Sequence, residues 1–231
     1  MISIIIPVYN EEAKIRDLLS FLKAHTGGEQ LEIIVVDGGS SDQTVEVAKS
    51  LEAKVLVSPL KGRANQMNFG AEKANGEWLY FLHADTTPPP TFIADIKQKI
   101  KDGFECGCFR LKFDNAHPAL RFYGWFTRFN IDFFRFGDQS LFVRKALFYK
   151  INGFDEQMLV MEDQEIVSRL KNHAQFGIIE KQVITSARKY QRFGVFRLQF
   201  IFTIIVVLFY LNISQEVIAH FYKTFMSGSS Y

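Results

Sequence analysis

The chain has 231 residues, of which 48% are hydrophobic and 23% charged, with a formal net charge of +2. This balance excludes a disordered or collagen-like chain, and the length suffices for one large domain with its own core. Two cysteines exclude a disulfide scaffold, and so small a charge excludes nucleic acid as the main partner.

Ile2–Val8 is a run of β-branched residues, the pattern of a buried strand. Asn10-Glu11-Glu12 then starts a helix through about Lys23, with Ile15, Leu18, Leu19 and Leu22 on one face. Leu31–Val36 reads as a second strand, Thr44–Leu51 as a helix, Lys54–Val57 as a strand, Asn65–Ala74 as a helix and Trp78–Leu82 as a fourth strand. Such alternation predicts an α/β fold: a mixed, mainly parallel sheet with helices on both faces. Thr91–Lys101 follows as a helix, then Glu105–Phe113 as a strand with Gly107 at a bulge. Cys106 and Cys108 read as two small buried residues there, since a lone C-x-C pair lacks further zinc ligands.

From Arg121 to Phe136 the pattern is helical. Phe122, Trp125, Phe126, Phe129, Phe133 and Phe136 fall on a face about 100° wide, beside a face carrying Arg121, Arg128 and Arg135. Ser140–Val143 reads as a strand, Lys145–Lys150 as a short helix, Met161–Asn172 as a helix and Ile178–Ile184 as a late strand. Residues 1–190 are expected to form the main domain, divided into halves 1–100 and 101–190. Residues 191–231 are expected to add a C-terminal helical extension.

Phenylalanine is unevenly spread, with four of its 24 copies in residues 1–100 and twenty in 101–231. The most apolar run, 200–211, is well short of the about 20 residues that a membrane span needs. Lys181, Arg188, Lys189, Arg192 and Arg197 precede or edge it, and no Asp or Glu occurs from 181 to 215. Cations beside an apolar segment suit an anionic membrane surface. Contact with a membrane is therefore expected through 193–213 and 121–136. The start of the chain reads as a strand and not as a leader, so the expected location is the cytoplasm, at the inner face of the cell membrane.

Polar residues gather where the strands end, which is where ligands bind in open α/β sheets. Asp37 and Asp85 both follow apolar strands, and Asp85 stands where a cation on a nucleotide diphosphate would need one carboxylate. Asp37 could also cap the next helix, the lesser alternative. Glu162-Asp163 opens a helix, where acids also complement the dipole.

Five segments together resemble family 2 glycosyltransferases with a GT-A fold. They are Ser3–Glu12 (SIIIPVYNEE), Val35–Thr44 (VVDGGSSDQT), Gly62–Ala71 (GRANQMNFGA), Phe81–Thr86 (FLHADT) and Met161–Asp163 (MED). They fall in family order and cover residues 1–170. His-Ala-Asp at 83–85, Gly-Asp-Gln at 137–139 and Thr-Ser-Ala-Arg-Lys-Tyr at 185–190 are similar to a poorly characterised bacterial subgroup.

This resemblance implies a GT-A (Rossmann-like) sheet and a nucleotide-diphosphate sugar as donor. By position, Pro7, Tyr9 and Glu11 would cradle the base and ribose, and Asp37 would accept from the base. Asn68 and Gly70 match the Asn-x-Gly of the helix under the nucleotide, and Arg63 could reach a phosphate. Asp85 matches the last acid of the Asp-x-Asp metal motif, for Mn²⁺ or Mg²⁺, and His83 replaces the first. Asp163, beside Glu162, matches the general base of an inverting transfer. Asp138, Gln139, Arg188 and Lys189 are further candidates for acceptor or phosphate contact. The acceptor is expected to be apolar or lipid-linked.

A dehydrogenase would need G-x-G-x-x-G after the first strand, where Pro7–Glu11 stands instead, and no P-loop motif occurs. A nucleotidyltransferase would need a Gly-rich basic first loop, whereas 7–13 carries two acids. A non-catalytic nucleotide-sugar or lipid-binding module is the alternative from another class. His83 favours it, and the acid pair at 162–163 opposes it.

Overall fold

The computed structural model describes residues 1–135 and 137–227. Its strands are β1 (Ile2–Val8), β2 (Leu31–Asp37), β3 (Lys54–Val57), β4 (Trp78–Phe81), β5 (Thr86–Thr87), β6 (Cys106–Phe113), β7 (Leu141–Arg144) and β8 (Phe176–Thr185). The helices are α1 (Glu12–Ala24), α2 (Thr44–Ser50), α3 (Arg63–Glu72), α4 (Phe92–Lys101), α5 (Pro118–Trp125), α6 (Lys145–Lys150), α7 (Glu162–Lys171), α8 (Arg188–Phe193), α9 (Val195–Tyr210) and α10 (Gln215–Ser227).

The strands form one eight-stranded sheet in the order β3-β2-β1-β4-β7-β6-β8-β5. The first four are parallel to one another. β7 runs antiparallel between β4 and β6, β8 is parallel to β6, and β5 is antiparallel to β8. This is the mixed, mainly parallel sheet that the alternation of elements predicts.

Side chains of successive strand residues point to opposite faces, so each strand feeds two cores. Ile4 and Ile6 of β1 pack with Ile15 and Leu19 of α1 and Phe92 of α4. Ile5 packs on the other face with Met67 of α3, Phe148 of α6 and Ile166 of α7. Each such fully buried side chain contributes about 1.5–3 kcal/mol. Gly70 lets α3 sit close on the sheet: a Cβ there would come within 2.5 Å of the Ile5 Cγ2 and 2.9 Å of the Val36 Cγ2.

Three expectations are corrected. Residues 121–136 do not form one helix: α5 stops at Trp125 and gives way to 3₁₀ turns at Phe126–Arg128 and Asp132–Phe134, with Phe129 extended between them. Phe136 lies outside the described residues. Arg135 is buried, only 2% exposed, so it belongs to no surface arginine face. Gly107 is not a bulge: the irregularity in the β6–β8 ladder falls between Phe109 and Arg110. Gly107 instead permits a close approach, since a Cβ there would collide with the Gly177 carbonyl and the Phe142 ring.

Cys106 and Cys108 are buried free thiols on β6. The apolar run at 200–211 is divided between core and surface. Ile201 and Ile205 pack with Ile218 of α10, while Phe200, Val207, Tyr210 and Leu211 are exposed. Among the described residues, no helix is long and apolar enough to cross a membrane.

Candidate active site

The loops that follow β1 and β2 are stitched together. The Asn10 amide donates to the Ser40 hydroxyl at 2.9 Å, and the Ser41 amide to the Asn10 side-chain oxygen at 2.8 Å. The Glu11 amide donates to the Thr44 hydroxyl at 2.8 Å, and the Gln43 amide to the Glu12 carboxylate at 2.9 Å. Beneath them the buried Gln66 amide donates to the carbonyls of Val8 and Val36, each at 2.8 Å. Gln66 thus ties the ends of β1 and β2, a role that the sequence did not mark.

Asp37 is buried at the end of β2 and accepts from the amides of Gly39 at 3.0 Å and Ser40 at 3.1 Å, and from the Ser40 hydroxyl. This is the turn-forming role available to it from sequence, and a base contact would have to share those oxygens. Pro7 lies half-buried in β1, and Tyr9 just beyond is 59% exposed, its ring open to a ligand.

Two residues have other partners than the sequence suggested. The Asn68 side chain donates to the Phe154 carbonyl and accepts from the Phe154 amide, both at 2.9 Å, so it clamps the loop after α6 to α3. The Arg63 guanidinium pairs with two acids. It lies 3.0 Å from Glu162 and 3.5 Å from Asp163.

β4 ends at Phe81, and the chain turns through Leu82, His83 and Asp85 before β5. His83 Nδ1 lies 3.2 Å from Asp138 Oδ1, the latter within the 3₁₀ turn 137–139. One ligand atom from each of His83, Asp85 and Asp138 lies within 4.8 Å of the others. An imidazole and two carboxylates so disposed fit a divalent cation such as Mn²⁺, which accepts nitrogen and oxygen donors. The sequence offered Asp138 for acceptor or phosphate contact, and its share in this cluster depends on the fold.

The charges here are coupled. Burial and the Arg63 guanidinium oppose charge on His83, but its hydrogen bond to Asp138 and the fields of Asp163 and Asp138 outweigh them and raise its pKa. Burial also opposes charge on Asp138, yet His83, Lys189 and Arg63 hold that carboxyl below the usual range. Burial and the nearby Asp138 push Asp85 up. Asp163, at the start of α7, is pushed up to about 6 by burial and by Glu162 beside it. His83 and Asp163 line a common cavity of about 20 Å³, floored by Cys108, Arg135 and Gln139. It is roomy enough for about one water.

Gln139 is 1% exposed and belongs to that floor. It donates to the Phe134 carbonyl and accepts from Arg135 at 2.6 Å, so it is a structural prop and not an open contact for acceptor or phosphate. Arg188 and Lys189 open α8 on the exposed side of the site, and Arg188 forms a two-pronged ion pair with Glu11 and reaches Asp85 at 3.3 Å.

Residues 3–152 match the model of glycosyl transferase family 2. The chain belongs to that family. A curated relative, the undecaprenyl-phosphate 4-deoxy-4-formamido-L-arabinose transferase of Shewanella sediminis, is 30% identical over 113 residues. That stretch is 45% of this chain and 34% of the relative, so the match spans about a third of the relative's length. Among solved structures, Staphylococcus aureus TarS 1-349 in complex with UDP aligns with a TM-score of 0.68 at 17% identity, over 97% of this chain and 70% of that one. The mannosyltransferase PcManGT of Pyrobaculum calidifontis, in complex with GDP-Man and Mn²⁺, aligns with a TM-score of 0.67 at 16% identity, over 79% of this chain and 56% of that one. The shared architecture is the GT-A fold.

Proposed function

We propose that this protein transfers a sugar from a nucleotide-diphosphate sugar to an acceptor hydroxyl with inversion. The observation that carries this reading is the shared cavity of His83 and Asp163. It puts a raised carboxyl beside a cluster suited to a divalent cation.

In this reading the donor's base and ribose lie over Pro7, Tyr9 and Glu11, on loops fixed by the Asn10–Ser41 and Gln66 hydrogen bonds. The acceptor oxygen attacks the anomeric carbon from the side facing Asp163. The bond from that carbon to the diphosphate oxygen breaks, and the hydroxyl proton passes to an Asp163 carboxylate oxygen. A carboxylate with a pKa near 6 is a better proton acceptor than an ordinary aspartate and is still ionised at neutral pH. Arg63 lies nearer Glu162 than Asp163, 3.0 Å against 3.5 Å, which supports the second acid of the pair as the base. A divalent cation held by His83, Asp85 and Asp138 would neutralise charge on the leaving diphosphate. Lys189 adds positive potential on the same side.

The acceptor in this reading is lipid-linked. Residues 1–190 carry catalysis, with donor contacts in 1–100 and acceptor contacts in 101–190, and the helices of 191–231 join the acceptor side to a membrane. Phe122, Trp125, Phe129 and Phe133 are exposed on α5 and the turns after it, and Phe196, Phe200 and Tyr210 are exposed on α9. Phe133 stacks on Tyr210 with ring centroids 6.4 Å apart, joining the two sets. Arg128 lies over Trp125 at 4.5 Å, and Arg121, Arg192 and Arg197 are also exposed. Aromatic rings framed by cations suit the interface of an anionic bilayer. An open groove lined by Pro118, Arg121, Phe122 and Trp125 lies on this face.

The test is release of nucleotide diphosphate from a panel of nucleotide sugars, with and without Mn²⁺. Turnover is expected with at least one donor, and Asp163→Asn should abolish it while the nucleotide diphosphate still binds. Donor binding without consumption, whatever acceptor is supplied, would establish the non-catalytic module instead.

A further inference from the structure

Arg188 is the most unusual cation of the site, because it bridges two acids that come from opposite ends of the donor half. Its Nη1 donates to Glu11 Oε2 at 2.8 Å, its Nη2 donates to Glu11 Oε1, and the same Nη2 lies 3.3 Å from Asp85 Oδ2. Glu11 and Asp85 are both largely buried, with side chains 18% and 19% exposed. The backbone holds this arrangement. The Ser186 amide donates to the Asp85 carbonyl at 3.1 Å, and the Ala187 amide to the Asp114 carboxylate at 2.7 Å. The start of α8 is therefore fixed against the very residue that Arg188 neutralises.

A planar guanidinium with its fork on one carboxylate makes strong charge-assisted hydrogen bonds there, and its edge lies in ion-pair range of the second. Glu11 and Asp85 in turn favour the charged form of Arg188. The same geometry opposes a divalent cation. Asp85 is one of the three residues that could hold such an ion, and a positive charge fixed 3.3 Å from its carboxylate repels the ion. His83, standing where an acid would add negative charge, does nothing to offset this.

We propose that Arg188 is the resting counter-cation of the donor site. With no donor bound it joins Glu11 to Asp85 and resists a lone divalent cation. When the cation arrives with a nucleotide diphosphate, the guanidinium transfers from Asp85 to the diphosphate oxygens. Cation and nucleotide therefore bind together rather than in either order. This inference rests on the donor site proposed above.

The experiment measures Mn²⁺ binding without nucleotide, by electron paramagnetic resonance of the free ion, and UDP and GDP binding by calorimetry with Mn²⁺ present. Arg188→Gln should tighten lone Mn²⁺ by about tenfold, the least that removing one charge at this distance changes a carboxylate's affinity for a proton. It should weaken the nucleotide that the wild type prefers. These opposite signs would not follow from a merely structural role. Arg192→Gln removes the same charge one turn further along α8 and should leave lone Mn²⁺ binding unchanged. If Arg188→Gln does not fold, Arg188→Lys decides, with Mn²⁺ expected to tighten by a smaller factor because the fork is lost.

Lone Mn²⁺ binding that is unchanged or weaker in the Arg188 variant, or equally tightened by Arg192→Gln, would overturn the inference alone. A wild type and variants that bind neither Mn²⁺ nor nucleotide would overturn the donor site itself.

Discussion

The two ends of the site are built by different means. On the proposed donor side, the loops after β1 and β2 are held mostly by backbone amides and neutral side chains, among them Asn10, Ser40, Thr44 and Gln66, with the Asp37 and Glu12 carboxylates as further acceptors. On the side of Asp138 and Asp163, position is set by charge: Arg63 against Glu162 and Asp163, His83 against Asp138, Arg188 against Glu11 and Asp85. Neutral crossties keep their geometry across pH and salt. Charged contacts shift with protonation and with the arrival of a highly charged ligand. The site thus combines a stiff set of strand-end loops with an electrostatically adjustable cluster of paired charges.

The largest expected effect falls on the adjustable side. Asp163→Asn should lower kcat by on the order of 10²–10⁴, the usual contribution of a positioned base, without altering the melting temperature downward. A fall of less than tenfold would place the base elsewhere. The pH profile comes next. With the Asp163 carboxyl at about 6, kcat/KM should fall as pH drops through that value and the base becomes protonated. Glu162→Gln removes the like charge and frees Arg63 for Asp163, so the acid limb should move down by about one pH unit. An unmoved limb would show that another group controls it.

The stiff side is tested by packing. Gly70→Ala forces a methyl against Ile5 and Val36 and should destabilise the fold by about 1–3 kcal/mol in denaturant melts, with no shift of the pH profile. The smallest effect on folding is expected at the aromatic surface. Phe196 and Phe200 are 71% and 67% exposed, so replacing both by Asp should leave the melting temperature nearly unchanged. The same pair should abolish sedimentation with anionic liposomes, and undiminished sedimentation would remove α9 from the membrane surface.

How much was legible in the sequence follows the same division. β1, β2 and α1 are readable because burial on both faces leaves unbroken β-branched runs and a clear 3.6-residue period. The stretch 121–136 misled for a physical reason. Its aromatic stripe fits a helix, but Gly124 packs so close to the Leu111 carbonyl that a Cβ would lie 2.9 Å from it. Thr127 then donates to the Gly124 carbonyl at 2.7 Å and accepts from the Leu111 amide at 3.0 Å. The buried Arg135 takes the carbonyls of Thr127 and Phe129, which a continuing helix would have used for its own amides. A periodicity argument sees spacing and not these long-range captures.

The site divides likewise. Asp37, Asp85 and Asp163 were legible as acids at element ends. The pairing of Arg63 with Glu162, of Asn68 with Phe154 and of Arg188 with Glu11 joins residues 99, 86 and 177 positions apart, and nothing local marks them. The two-residue strand β5 was also invisible, being defined only by its pairing with β8.

The two thiols of β6 carry a practical consequence. Cys106 is fully buried with its pKa pushed up to about 12, and Cys108 is 3% exposed and also pushed up by burial. Both remain protonated and sheltered in the folded protein, so alkylating reagents should find neither until the central sheet opens. The chain thus carries its own unfolding clock. A single cysteine introduced on α9 would take a spectroscopic label with the native pair left silent, so motion at the aromatic face could be followed without first stripping the protein of its own sulfur.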